Sequence, residues 1–107
     1  MSVTVSTHVL DAVTGTPAAA VVVRLTDSGG SEIGSGRTDA DGRIGAITAA
    51  PIPPGRYRLS FDTGEWFRGR GRDTFYPEVV IAFDASGGHT HVPLLLSPFA
   101  YSTYRGS

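Results

Sequence analysis

The stretch His89-Thr-His-Val-Pro-Leu-Leu-Leu-Ser97 decides the architecture. In an extended chain, successive side chains point to opposite faces. Val92, Leu94 and Leu96 therefore share one face, while His89, His91, Pro93 and Leu95 share the other. Both faces carry apolar side chains, and a two-layer sandwich buries only one of them. The face of His91 and Leu95 needs another cover, and a partner subunit is the expected one, because monomers rarely leave large apolar patches in water. The start of the chain repeats the arrangement, with Val3, Val5, Thr7 and Val9 on one parity and Thr4, Ser6, His8 and Leu10 on the other. His8 thus joins the non-core face, and an oligomer with histidines at its interface is expected.

Outward from these two strands, Ala20–Thr26 is Val-rich and precedes Asp27-Ser-Gly-Gly-Ser31, a hairpin turn by composition. Glu32–Thr38 reads as the next strand. Asp39-Ala-Asp-Gly42 then closes a tight turn, where Asp-Gly supplies the positive φ, and Arg43 opens the following extended piece. Arg56–Asp62 alternates with Tyr57, Leu59 and Phe61 inward, and Thr63 is placed to cap a short helix that Gly69 and Gly71 stop. Pro77–Asp84 and His89–Ser97 are strands, and Pro98 leads into Tyr101–Ser107. About eight short strands, turns every 8 to 12 residues and one short helix define an all-β antiparallel sandwich.

The 107 residues suit a single domain spanning 1–107, large enough for a core without disulfides, and there is no cysteine to form one. Thiol chemistry is excluded, and the composition fits a reducing cytoplasm. A net charge of -1 offers no general attraction for nucleic acid or anionic lipid. No apolar run reaches the roughly 20 residues of a membrane span, and the alternating start is unlike a signal peptide.

His8, His89 and His91 invite three readings. The His-x-His spacing could seat a metal with a third histidine completing the site. The same rings, near neutrality in pKa, could move protons beside an arginine such as Arg43, whose fork of donors suits a planar multi-carbonyl substrate or an oxyanion. They could also be satisfied polar residues of a sheet face. Asp39, Asp41 and Gly42 lack the distal Glu of a calcium loop, and turn chemistry accounts for them. Tyr104-Arg-Gly-Ser107 follows a strand with no polar tail, so Ser107 is expected in a fixed place; no strand–turn–helix elbow surrounds it, which argues against a Ser-His-Asp nucleophile.

Several segments carry a family likeness: Ser6-Thr-His-Val-Leu-Asp11, Thr38-Asp-Ala-Asp-Gly-Arg43, Phe75-Tyr-Pro-Glu-Val-Val80, and His91-Val-Pro-Leu-Leu-Leu-Ser-Pro98 through Tyr101-Ser-Thr-Tyr-Arg-Gly-Ser107. Across essentially its whole length the chain resembles the 5-hydroxyisourate hydrolases, transthyretin-related proteins of urate degradation. The resemblance implies a transthyretin-like sandwich assembled as a homotetramer, a dimer of dimers with sites in the channel between dimers. It implies hydrolysis of 5-hydroxyisourate to 2-oxo-4-hydroxy-4-carboxy-5-ureidoimidazoline, with neither metal nor cofactor. His8, Arg43, His91 and Ser107 are the catalytic residues carried over, and Tyr104, Arg105 and Gly106 those expected to bind substrate. Transthyretin, the hormone carrier of the same fold, lacks the Tyr-Arg-Gly-Ser ending and the site histidines.

Overall fold

The computed structural model describes residues 2–107. Alternation turns into strands β1 (Val3–Asp11), β2 (Thr16–Pro17), β3 (Val22–Asp27), β4 (Glu32–Arg37), β5 (Arg43–Ile44) and β6 (Gly55–Phe61). The helix α1 (Thr63–Arg68) follows, then β7 (Val79–Ala85), β8 (Gly88–Ser97) and β9 (Ala100–Thr103). One sheet has the order β2-β1-β8-β9, with β5 also pairing β1, and the other β4-β3-β6-β7. The all-β sandwich expected from the sequence is thus present. Its pairings are antiparallel except at the centre of the first sheet, where β1 and β8 run parallel from Val3 opposite Gly88 to Asp11 opposite Leu96. No hairpin joins these two strands, so nothing local dictates an antiparallel direction.

The facing read from the sequence holds. Val3, Val5 and Val9 of β1 and Val92, Leu94 and Leu96 of β8 are buried in one cluster with Leu25, Leu59, Phe61 and Val79 of the second sheet. Each such side chain contributes about 1.5–3 kcal/mol by leaving water. Thr7 shares this face and is 1% exposed; its hydroxyl is satisfied by donating to the Val92 carbonyl at 2.6 Å. On the other face Leu10 lies opposite Leu95, and both are only half-buried within the chain.

The helix begins one residue differently from the sequence reading. Asp62 holds the N-cap position, and Thr63 is already helical, its hydroxyl donating to the Tyr76 carbonyl at 2.6 Å. A buried carbonyl of the following loop thus captured the group expected to cap. Trp66 and Phe67 are buried, and two arginines of the next loop cover them. Arg70 lies 4.1 Å over the Trp66 ring and donates to the Ala19 carbonyl at 3.1 Å, pinning the corner where Ala20 takes a left-handed φ of 66°. Among the described residues no helix is long and apolar enough to cross a membrane.

Arg72 reaches further, to Asp11 at the end of β1. Its Nη1 donates to Asp11 Oδ2 at 2.6 Å, while Oδ1 accepts the Val13 and Thr14 amides at 2.9 and 3.3 Å. Burial pushes the Asp11 carboxyl up, but Arg72 and the two amides together outweigh it and hold it below its ordinary 3.8. A carboxylate whose folded pKa is depressed stabilises the fold above its unfolded value and loses that contribution as pH falls through the folded one. Arg72→Met should therefore destabilise the protein by about 3 kcal/mol near neutrality, by leaving Asp11 charged and unpaired. Urea melts of both proteins should show the gap narrowing as the pH drops below 3.8.

Candidate functional site

The parallel register fixes what stands beside what on the outer face. Thr4 lies opposite His89, Ser6 opposite His91 and His8 opposite Pro93. At this spacing hydroxyls and imidazoles meet across the two strands. Thr4 Oγ1 is 2.7 Å from His89 Nδ1, Ser6 Oγ is 2.7 Å from His89 Nε2, and the same Ser6 oxygen is 2.7 Å from His91 Nδ1. The result is an unbroken hydrogen-bonded row in which Nε2 of His91 takes no part.

Arg43 arrives from the Asp39–Gly42 turn. Asp39 Oδ1 accepts the backbone N–H groups of Asp41 and Arg43, both at 2.9 Å, which is the turn chemistry expected in place of a calcium loop. Gly42 has a φ of 75°, and a Cβ there would collide with the Val9 carbonyl, so only glycine lets the turn dock on β1. The Val9 N–H donates to the Gly42 carbonyl at 2.7 Å, and β5 follows with Arg43 opposite His8.

The last residues arrive from the opposite side. They continue the β8–β9 register past β9, and the Gly106 N–H donates to the His91 carbonyl at 3.0 Å. A Cβ on Gly106 would strike the His91 ring, so this glycine lets the backbone lie against the imidazole. Ser107 then enters a recess of about 260 Å³ that it lines with Ser6, Arg43, His89 and His91.

The structure thus brings His91, Arg43 and Ser107 together, with Gly106 packed on His91. His8 does not line the recess itself but stands next to it as the register partner of Arg43. Tyr104 and Arg105 line a second recess of about 320 Å³ with Phe83 and Asp84, and His91 lines both recesses. Burial pushes the His91 imidazole below its ordinary 6.5, and the positive charges of Arg43, His8 and His89 push the same way. A ring so placed stays neutral where an exposed histidine begins to protonate. Among the described residues no group of three or more His, Cys, Asp or Glu is arranged to hold a metal ion. Both ring nitrogens of His89 are engaged by hydroxyls instead.

One site residue escaped the sequence reading, and another was weighed there without a role in the family likeness. His89, which follows Gly87-Gly88, is exposed, yet it lines the recess and bonds to both Thr4 and Ser6. Ser6 was seen only as a polar position. Their shared parity was the available signal, but it becomes a contact only when β1 and β8 are known to be neighbours in parallel.

Fold and recess together define a transthyretin-type sandwich whose outer sheet face carries a histidine and arginine site. The model of the HIUase/Transthyretin family matches residues 5–106, and the chain belongs to that family. The 5-hydroxyisourate hydrolase of Salmonella dublin is 47% identical over 108 residues, covering 95% of this chain and 79% of that protein. The solved structure of Klebsiella pneumoniae 5-hydroxyisourate hydrolase superposes with a TM-score of 0.90 at 45% identity, covering 97% of this chain and 93% of the other. Transthyretin from Sparus aurata superposes with a TM-score of 0.86 at 37% identity, covering 95% of each.

The electrostatic reading is open to direct titration. Followed by the NMR shifts of its ring protons, His91 should titrate below 6.5. Arg43→Gln should move the midpoint upward, because removing a neighbouring cation favours the protonated ring. A midpoint at or above 6.5 in the unsubstituted protein would contradict the geometry.

Proposed function

We propose that this chain is a 5-hydroxyisourate hydrolase of urate degradation, converting its substrate to 2-oxo-4-hydroxy-4-carboxy-5-ureidoimidazoline. The observation that carries the reading is a half-buried His91 that lines one recess with Arg43 and Ser107, with Gly106 packed on its ring. Hydroxyisourate hydrolases among its relatives support the same activity.

A general base must be neutral to accept a proton, and a nearby cation disfavours protonation of an imidazole. In the proposed mechanism His91, with His8 beside it, positions a water and removes its proton as the water attacks the C6 carbonyl of the lactam. Arg43 serves twice: it holds the ring neutral, and its fork of donors stabilises the oxyanion that forms. The Ser107 hydroxyl and the backbone of the tail hold the substrate and return a proton to the nitrogen that leaves. Tyr104 and Arg105, in the adjoining recess that His91 also lines, bind substrate from the other side of that ring. The whole of 1–107 works as one hydrolase domain.

The same proposal includes the homotetramer. The half-buried Leu10 and Leu95 beside the site, and the open sheet edges at β7 and β9, are surfaces that partner copies would cover. It also puts the reaction in the cytoplasm, which the cysteine-free chain suits.

The test is absorbance-monitored decay of 5-hydroxyisourate freshly generated from urate by urate oxidase, with and without the protein. Decay should be faster with it and unaffected by chelator; decay at the spontaneous rate would refute the hydrolase and favour a carrier. His8→Asn and His91→Asn should each lower turnover by about 100-fold or more, the scale of a positioned proton-transfer group. Removal of Tyr104–Ser107 should abolish turnover and leave assembly intact by light scattering. Gly106→Ala, which forces the His91 ring aside, should lose about 100-fold in kcat while the melting temperature holds.

A further inference from the structure

Resting on the hydrolase reading, we infer that Ser6 and His89, with Thr4 at the outer end, form a proton wire that runs from His91 Nδ1 along the wall of the recess to the surface. Ser6 and His89 are positioning residues in this scheme: they touch His91 and each other, and act on the reaction through His91.

The geometry supports a directed chain. A serine hydroxyl donates one hydrogen bond and accepts up to two, and Ser6 Oγ has an imidazole nitrogen at 2.7 Å on either side, so that, donating to one ring and accepting from the other, it links the two. If it accepts from His91 Nδ1–H, it donates to His89 Nε2, and His89 Nδ1–H then donates to Thr4. In that direction Nε2 of His91 is bare and serves as a base. If every bond reverses, Thr4 donates to His89 Nδ1, His89 Nε2–H donates to Ser6, and Ser6 donates to His91 Nδ1. Nε2 of His91 then carries the proton and serves as an acid. The row therefore has two states, one before and one after Nε2 of His91 has taken the proton of the attacking water.

The chemistry gives the wire a proton to carry. Hydrolysis of a neutral lactam yields a carboxylic acid, which is ionised near neutrality, and a ureido nitrogen, which is not basic. One proton per turnover must therefore reach solvent. With substrate at Nε2 of His91, the route left is from Nδ1, along the recess wall to Thr4, which does not line the recess. The transfer balances without any other reactant. His91 Nε2 takes the proton of the attacking water, and Nδ1–H passes to Ser6 as the Ser6 proton passes to His89 Nε2. His89 Nδ1–H passes to Thr4 as the Thr4 proton passes to bulk water. No covalent bond other than those to hydrogen changes within the row. After product leaves, Nε2–H is lost to water in the recess as the row returns a proton from solvent to Nδ1, which restores the starting state with one proton released per turnover.

The surroundings favour this direction. Ser6 is 7% exposed, whereas His89 is exposed, so the row runs from a shielded interior group to the surface. Around His91 stand His89 on its own strand, His8 on β1 and Arg43 on β5, which disfavour a proton on the ring, and, along a second recess that His91 also lines, Asp84 on β7 with Tyr104 and Arg105 of the tail. On the tail side Gly106 packs against the imidazole and Ser107 lines the same recess. An imidazolium formed during turnover is therefore short-lived at His91 and is discharged toward the exposed end.

The experiment measures turnover of 5-hydroxyisourate by the wild-type chain, Ser6→Ala, Ser6→Thr and His89→Ala, each with and without added imidazole, alongside thermal melts. Ser6→Ala and His89→Ala should each lower kcat by about 10-fold with KM nearly unchanged, less than loss of the direct base. Ser6→Thr, which returns the hydroxyl, should recover most of the loss. Free imidazole should restore His89→Ala, where it can occupy the exposed end, and leave Ser6→Ala slow; a merely structural role would show no such rescue. Unchanged kcat in both alanine variants, or equal rescue of both, would overturn the wire while the hydrolase stands. A wild-type chain without turnover would overturn the hydrolase and the wire together. Should the variants fail to fold, the wild type decides alone: kcat in mixtures of light and heavy water should fall along a curve, since several protons move together. A straight line would mean a single proton and would overturn the wire.

Discussion

The parallel pairing of β1 with β8 is the constraint on which the rest of the structure depends. It joins strands separated by most of the chain, and because side chains alternate, its register assigns every residue of both strands to a face at once. With Ser6 opposite His91, Val3, Val5, Val9, Val92, Leu94 and Leu96 enter the core while Thr4, Ser6, His8, His89 and His91 face outward. A slip of one residue in either strand would expose its valines or leucines and bury its imidazoles. The hydrophobic pattern that stabilises the sandwich therefore also enforces the alignment of the site.

The site needs two further pieces of chain, and each is delivered by a glycine at a close approach. Gly42 lets the Asp39 turn meet the Val9 carbonyl, which sets Arg43 opposite His8. Gly106 lets the tail meet the His91 ring, which sets Ser107 in the recess. Neither approach tolerates a Cβ, so neither is a loose loop contact. Arg43 and Ser107 come to His91 from opposite edges of the same sheet, and both are tied by backbone hydrogen bonds rather than by flexible side chains. Preorganised groups of this kind are what make an electrostatic effect on a transition state large, because little must reorganise as charge develops.

Local alternation made much of this legible in the sequence. The facing of Val92, Leu94 and Leu96 against His91 and Leu95, the inward Tyr57, Leu59 and Phe61, and the Asp39 turn all follow from parity and turn chemistry, and the structure has them so. What parity cannot supply is which strand lies beside which. The parallel direction of β1 and β8 depends on contacts between the two ends of the chain, and with it went the hydroxyl–imidazole row of Thr4, His89, Ser6 and His91. The same limit explains Thr63, whose hydroxyl was claimed by the Tyr76 carbonyl thirteen residues on. Tyr104 and Arg105 show a related limit: neighbours in sequence to Gly106 and Ser107, they line a second recess that meets the first at His91, and adjacency along the chain does not fix which recess a residue enters.

That separation of faces also accounts for how one scaffold accommodates both an enzyme and a carrier. The chain superposes almost as well on a transthyretin as on a hydroxyisourate hydrolase, with TM-scores of 0.86 and 0.90. Fold alone therefore does not choose between them, and the choice rests on side chains grafted onto it. The inward parity of β1 and β8 carries their fully buried valines and leucines, so truncation there costs stability. The outward parity carries His8, His89 and His91 on a surface where substitutions leave the core untouched. Chemistry can accordingly be gained or lost there at little expense in stability, provided the register that aligns the two strands is kept.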